Sequence, residues 1–284
     1  MSGWHWQTWQ GRPYLTCDLL ASWTHGFFTR HWSPASPKSI NQALAPEASV
    51  YHLKQVHGDR VLVAHSLTPA SEMHDPGASP PPADGLVACQ SNQSIWVATA
   101  DCVPVLIGDR RLGSVAAIHA GWRGTAQGIV PLAVAKLQQQ GSQLHDLQVA
   151  LGPAIAGPMY QVSTAVAARV GATLVSAPSA IDAVSIAPPS PHSESAEEAA
   201  PDVAIQEVLA QLSQIPQSPV TPDPQPNRVR LDVRRVNQLQ LEQMGIATAQ
   251  IAVAPHCTYR DGDRFFSYRR EALKKVQWSG IVSG

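Results

Sequence analysis

A mixed α+β (α/β) fold is what this sequence of 284 residues predicts, on three observations. Short runs rich in Val, Ile, Leu and Ala and closed by turn residues, at 98–106 and 116–120, read as buried strands. Stretches with apolar residues at helical spacing, at 124–140 and 232–244, read as helices. The strand-type runs fall in both halves of the chain with helices interspersed, which is the order of a mixed fold.

In order, Trp4, Trp6 and Trp9 alternate with polar residues as in a strand with one apolar face, and their rings read as packing. His57 precedes Gly58 between two short apolar stretches. Residues 69–82, with His74-Asp75-Pro76-Gly77 and Pro80-Pro81-Pro82, form a loop, and Ala83-Asp84-Gly85-Leu86-Val87 restarts the sheet. The run 98–106 is closed by Gly108-Asp109, and the run 116–120 by Gly121 and Gly124. A helix follows over 124–140; Pro131 fits only a first turn, so its regular part begins near Val130. Residues 177–202, biased toward Pro, Ser, Ala and acid, cannot bury enough apolar area to offset ordering. They read as a mobile surface insertion in a single domain spanning 1–284. A short amphipathic helix at 203–212 and a Pro-rich connector at 216–226 come next. A helix over 232–244 stopped by Gly245, and a strand over 246–254, follow.

With 44% hydrophobic residues the chain can bury a full core. A formal charge of −1 gives no general attraction to nucleic acid. Arg228, Arg230, Arg234 and Arg235 alternate with apolar residues around Asp232 and read as a solvated face. Cys17, Cys89, Cys102 and Cys257 lack a disulfide spacing, and the N-terminus lacks the basic and apolar regions of a signal peptide, so a cytoplasmic protein is expected. No apolar stretch approaches the ~20 residues of a membrane helix. Neither nucleic acid nor membrane is an expected partner, and monomer and homodimer both remain open.

The chemistry gathers where the two central runs end. Cys102 and His119 stand there, and His57 is a third candidate. Two imidazoles and a thiolate suit zinc, which in catalytic centres commonly takes three protein ligands. No CxxC or HExxH pair is present, and taken singly the residues leave alternatives open: a hydrogen-bonded core histidine at 119, an inert buried thiol at 102. Asp101 and Arg123 need a charge partner or ligand if buried. Either Arg123 pairs with Asp101 or another carboxylate, or Gly121–Thr125 presents it to an anion such as phosphate. In the absence of metal, Cys102 as nucleophile with His119 as its base would make a cysteine hydrolase or deamidase. A copper-dependent phenol oxidase fits poorly, since the several His-x-His pairs of a multicopper cluster are missing.

Seven blocks, in this order, carry a resemblance: Lys54–Val61 around His57, Ala83–Val87, Thr99–Ile107 around Asp101-Cys102, His119–Val130, Leu151–Ile155, Cys257-Thr258-Tyr259 and Phe265–Glu271. They resemble the family long labelled multicopper polyphenol oxidase or laccase-domain proteins. Its members are now mostly described as zinc-dependent purine nucleoside phosphorylases with adenosine deaminase activity. The resemblance implies a layered α/β/β/α fold, shared with bacterial toxin deamidases. It implies zinc on His57, Cys102 and His119, and as substrates phosphate with adenosine, inosine, guanosine or methylthioadenosine, giving base and ribose 1-phosphate. Deamination would use a zinc-activated water at C6 of adenosine. Arg30 corresponds to the family's N-terminal arginine and is a phosphate candidate beside Arg123, while Ser267, Arg269 and Arg270 would close the pocket. Asp101 is a candidate to orient a ligand or act as general base, and Tyr160 and Phe266 either stack on a purine or belong to the core. One departure is plain: the family's glycine-rich turn after the N-terminal arginine is His31-Trp32-Ser33-Pro34 here. A divergent domain kept for binding a partner, or for editing cell-wall precursors, is the remaining alternative.

Overall fold

Successive side chains of a strand face opposite ways, and the central strands of this protein are apolar on both faces. The computed structural model describes residues 3–70, 79–175 and 202–284. One six-stranded sheet has the order β1 (Trp4–Trp9), β2 (Arg12–Cys17), β3 (His25–Phe28), β15 (Gln277–Val282), β7 (Gln93–Thr99), β4 (Ser49–His52). A second has the order β14 (Ile251–Val253), β10 (Leu147–Leu151), β8 (Val103–Asp109), β9 (Val115–Ala120), β6 (Gly85–Ala88), β5 (Val61–Val63). A small third sheet orders β11 (Gln161–Ser163), β13 (Arg228–Leu231), β12 (Val220–Pro222).

The pleat sorts three cores. Phe27, Ile95 and Val97 meet Leu86, Leu106 and Ala117 between the two large sheets. Their neighbours Phe28 and Trp96 turn the other way, onto Trp32 and Ile40 beside the one-turn helix α1 (Pro37–Ile40). On the far face of the second sheet, Val105, Ile107, Ala116 and Ile118 pack with Ile129, Val134 and Leu137 of the helical layer. The architecture is therefore mixed α+β with the layering helix, sheet, sheet, helix, the first layer being thin. Residues such as Trp96 and Ile118, fully buried, are worth roughly 1.5–3 kcal/mol each relative to exposure.

Local departures from the sequence reading have local causes. The run 98–106 is not one strand: β7 ends at Thr99 and β8 starts at Val103, with Ala100–Cys102 forming the bend between the sheets. The helix over 124–140 is two, α2 (Trp122–Ala126) and α3 (Ile129–Gln139), broken at Gly128, whose left-handed φ of 73° ends one and opens the other. Pro131 sits in the first turn of α3, where no N–H is needed. The 216–226 connector contains β12, anchored by buried Val220 opposite Leu231. The strand over 246–254 shrinks to β14, preceded by a 3-10 turn at Thr248–Gln250. After α4 (Thr164–Gly171), α5 spans Asp202–Ser213, and α6 (Val233–Gln243) is capped by Asp232, which accepts from the N–H groups of Arg234 and Arg235. Gly245 follows it at φ 98°. The arginine run is less solvated than expected: Arg230 pairs with Asp223, Arg234 with Asp232, and Arg235 with Glu242. The expected insertion lies outside the described residues up to its last position, as does 71–78 of the expected loop. Among the described residues no helix is long and apolar enough to cross a membrane.

Candidate metal centre and active site

Sheet register assembles the site. β8 and β9 are antiparallel with Val103 opposite Ala120, so the next position along sets Cys102 against Gly121. β6 runs beside β9 with Gly85 opposite Ile118, which brings Asp84 to His119; the His119 N–H donates to the Asp84 carbonyl at 2.8 Å. β5 pairs with β6, and the loop before it carries His57. The outcome is that one ligand atom each from His57, Cys102 and His119 lie within 4.8 Å of one another. The imidazole rings of His57 and His119 stand edge to face at 4.8 Å.

Asp84, which the sequence reading placed only where the sheet restarts, organises this corner. It is fully buried, and its carboxylate accepts from the backbone N–H groups of Val56 (3.1 Å), His57 (2.9 Å) and Gly58 (2.9 Å). Those bonds hold His57 at a left-handed φ of 61°. The same carboxylate takes His119 Nδ1 at 2.8 Å, which leaves Nε2 to face the other two ligands. Burial raises the Asp84 pKa, but the bond and charge of His119 and the backbone donors outweigh it, and the group is held below its ordinary value. The signal in the sequence was an aspartate embedded in a wholly apolar strand start, a position that demands a buried partner.

The thiol and imidazole are polarised together. Burial pushes Cys102 up, but the charge of His119 and hydrogen bonds from His119 and His57 bring it to about 6. Burial pushes His119 down, but the opposing sulfur and Asp84 raise it to about 10. A thiolate is the form a metal needs, and a cation arriving there would displace the proton from His119. Two glycines keep the corner open by close approach. A Cβ at Gly121 would lie 3.0 Å from Cys102 Sγ and 3.7 Å from both histidine rings. A Cβ at Gly124 would lie 2.7 Å from the Gly58 carbonyl, so α2 could not pack against the His57 loop.

The remaining candidates divide. Arg123 makes no ion pair among the described residues: its guanidinium lies 4.5 Å over the Trp122 ring, and its Nε is buried without a hydrogen-bond partner. The carboxylate considered for it, Asp101, instead accepts from Thr258 Oγ1 (2.7 Å) and the Arg269 N–H (2.8 Å), with Ser267 as a further partner. Burial nevertheless leaves Asp101 above its ordinary value. Arg269 reaches the Gln161 carbonyl and lies 5.0 Å over the Tyr160 ring. Ser267 is buried and caps the one-turn helix α7 (Tyr268–Glu271), accepting from the Arg270 N–H. Arg30 is bound to Glu271 Oε1 (2.9 Å) and the Gly262 carbonyl (2.6 Å), with its guanidinium 4.5 Å over Phe266. Phe266 is buried with Arg30 and Lys275 against it, which makes it core. A cavity of about 560 Å³ lies behind the Thr258 loop, lined by Asp232, Arg234, Arg260, Asp261 and Cys257 among others; none of the three ligand residues faces it.

The family model described as multi-copper polyphenol oxidoreductase laccase matches residues 36–187 and 194–281. The chain belongs to that family. It is 48% identical over 283 residues, 99% of this chain and 97% of the relative, to "Purine nucleoside phosphorylase slr1573" of Synechocystis. It is 27% identical over 217 residues, 76% of this chain and 68% of the relative, to "Adenosine deaminase RL5" from an unknown prokaryotic organism. The crystal structure of YlmD from Geobacillus stearothermophilus shares the fold, with a TM-score of 0.75 at 24% identity over 98% of each chain.

Proposed function

We propose that the protein is a zinc-dependent purine nucleoside phosphorylase that also deaminates adenosine, acting on adenosine, inosine, guanosine or methylthioadenosine. The observation that carries the reading is the convergence of His57, Cys102 and His119, backed by Asp84, in a chain 48% identical to a protein named as a purine nucleoside phosphorylase. The donor set fits zinc: two imidazoles, one with its tautomer fixed by a carboxylate, and a sulfur biased toward thiolate. When bound, the zinc would supply Lewis acidity for the deamination.

The chain's own residues account for the phosphorolysis. Arg123, with an unsatisfied buried Nε and no carboxylate partner among the described residues, offers a planar fork to phosphate oxygens. Arg269, fixed through its backbone on Asp101, brings a second cation. Together they orient phosphate and stabilise charge as the bond to C1′ changes hands. Asp101, already bonded to Thr258, Ser267 and Arg269, acts as the post on which the C-terminal wall is hung. Arg30 and Ser267, given their commitments, support that wall rather than hold the anion.

A second reading rests on the depressed Cys102 thiol beside His119, the arrangement of a metal-free cysteine hydrolase. One experiment addresses both. Metal-replete protein is incubated with the four nucleosides, with and without phosphate, before and after chelation, and the products are identified by mass. Phosphate-dependent release of base that is lost on chelation supports the first reading. Chelator-insensitive turnover abolished by alkylating Cys102 supports the second.

A further inference from the structure

We propose that the Tyr160 hydroxyl is the acid of the phosphorolysis, donating its hydrogen bond to the purine as the base departs; the inference rests on the phosphorolytic reading above. Tyr160 is held from both sides of its backbone, its N–H donating to the Gly157 carbonyl (3.0 Å) and its carbonyl accepting from Leu231 (3.0 Å). One face of its ring is covered by the Arg269 guanidinium at 5.0 Å, and Arg269 is in turn fixed to Asp101, the neighbour of Cys102. The stack on Arg269, whose N–H is bonded to Asp101 next to Cys102, puts the phenol beside the groups that would surround the substrate.

Among the described residues, Arg123 keeps an unpaired Nε–H but is a permanent cation and a poor acid, and the other proton-bearing groups named at the centre are committed. His119 Nδ1 is bonded to Asp84, and Thr258 Oγ1 donates to Asp101. Ser267 is shared between Asp101 and the start of α7, and His57 and Cys102 are proposed ligands. Among the described residues the Tyr160 hydroxyl makes no side-chain hydrogen bond. It is therefore the one neutral O–H among these groups still free to meet a ligand. Burial, with the nearby sulfur and Asp101, keeps the phenol protonated.

Phosphorolysis needs such a group. The C1′–N bond breaks with its electron pair going to the base, while a phosphate oxygen forms the new C1′–O bond. The phenol proton passes to the departing purine, and the proton of hydrogenphosphate returns to the tyrosine, so the base leaves neutral and Tyr160 is regenerated. This role also explains why the ring is not a stacking platform on its Arg269 side: that cation holds the phenol in place.

The test is Tyr160→Phe, which keeps the ring, assayed on guanosine and on 7-methylguanosine, whose base is already cationic and departs without a proton. For guanosine kcat is expected to fall ~100-fold or more with the KM for phosphate unchanged, whereas 7-methylguanosine turns over at close to the wild-type rate. Equal losses on both substrates overturn the assignment. Calorimetric titration of the zinc-loaded proteins with hypoxanthine is a second readout, and Tyr160→Phe should weaken binding about tenfold by removing one donor. An unchanged Kd there also counts against Tyr160. If wild-type protein phosphorolyses neither nucleoside, the parent reading fails, and the hypoxanthine titration still decides whether Tyr160 meets a purine.

Discussion

The two strongest gatherings of charge in this protein differ in where their bonds point. In the clamp formed by Arg30, Arg270 and Glu271, the arginines donate to the carbonyls of Thr258, Tyr259, Gly262 and Phe265 and to Glu271 Oε1. Those bonds fasten the 258–271 loop to the N-terminal sheet. In the corner formed by His57, Cys102, His119 and Arg123, the bonds to the surrounding protein are made on the outer side, and the inner side holds only the hydrogen bonds of the two histidines to the Cys102 sulfur. Asp84 secures the backs of the two histidines, while the ligand atoms converge and Arg123 Nε stays unpaired. Buried polar groups are normally satisfied. Glu271 Oε2 is itself buried and unpaired, but both arginines of the clamp are spent on protein acceptors; a cation left unpaired beside converging donors marks a place for a ligand, and cations so spent mark scaffold.

The largest effect that can break this contrast is loss of the sulfur. Cys102→Ser should lose zinc and turnover while keeping the fold, because a neutral hydroxyl replaces neither the charge nor the soft donor. Elemental analysis beside circular dichroism checks it. An inactive but folded variant with full zinc occupancy would overturn the metal assignment and favour Cys102 as a nucleophile.

Asp84→Asn tests the outer side of the same corner. The amide oxygen can still accept from the N–H groups of Val56 and Gly58, but its NH2 then faces the His57 N–H and His119 Nδ1, which lose their charged acceptor. Zinc affinity should fall about 10–100-fold, the usual cost of an altered outer partner. Competition with a chromogenic chelator measures it, and an unchanged affinity would mean that His119 is not held for a metal.

How much of this was legible in the sequence follows from the range of the interactions. Cys102 and His119 stood out because each ends an apolar run, and the helix at Val233–Gln243 because Gly245 stops it; all of these are local. The break between α2 and α3 was only half legible, since Gly128 was read as a residue inside a helix. What the sequence could not separate were arginines of like type. Arg30 and Arg123 both sit in matched blocks, yet the partner of Arg30 is 241 positions away at Glu271, and no local pattern reports a contact of that span. Asp84 was hidden for the same reason, its partners lying 26 to 35 positions off.

That difference between the arginines yields the next test. Arg123→Ala should raise the KM for phosphate about tenfold or more, with zinc content and melting temperature little changed, since among the described residues the fork it removes makes no ion pair and rests only on the Trp122 ring. Arg30→Ala should do the reverse. It should leave phosphate dependence alone and lower Tm by about 2–4 °C, corresponding to ~1 kcal/mol in a chain of this size. If the two variants exchange phenotypes, the distinction between saturated and unsatisfied cations fails.

The smallest effect sharpens the clamp side alone. Glu271 is held below its ordinary value by its bond to Arg270, which outweighs a modest burial penalty, and by Arg30. A carboxylate with a depressed folded-state pKa contributes stability that is complete above its unfolded value, ~4.3, and is lost as pH falls through the lower folded value. Wild type should therefore melt above Glu271→Gln at pH 6, and the gap should narrow as pH drops below about 4, where the wild-type carboxylate takes up its proton and becomes, like the amide, a neutral partner to two guanidinium groups. Paired thermal melts between pH 6 and 3 measure this. A gap that stays constant across the range would show that Glu271 acts by its shape and not by its charge, and the clamp would then be a packing feature rather than an ionic one.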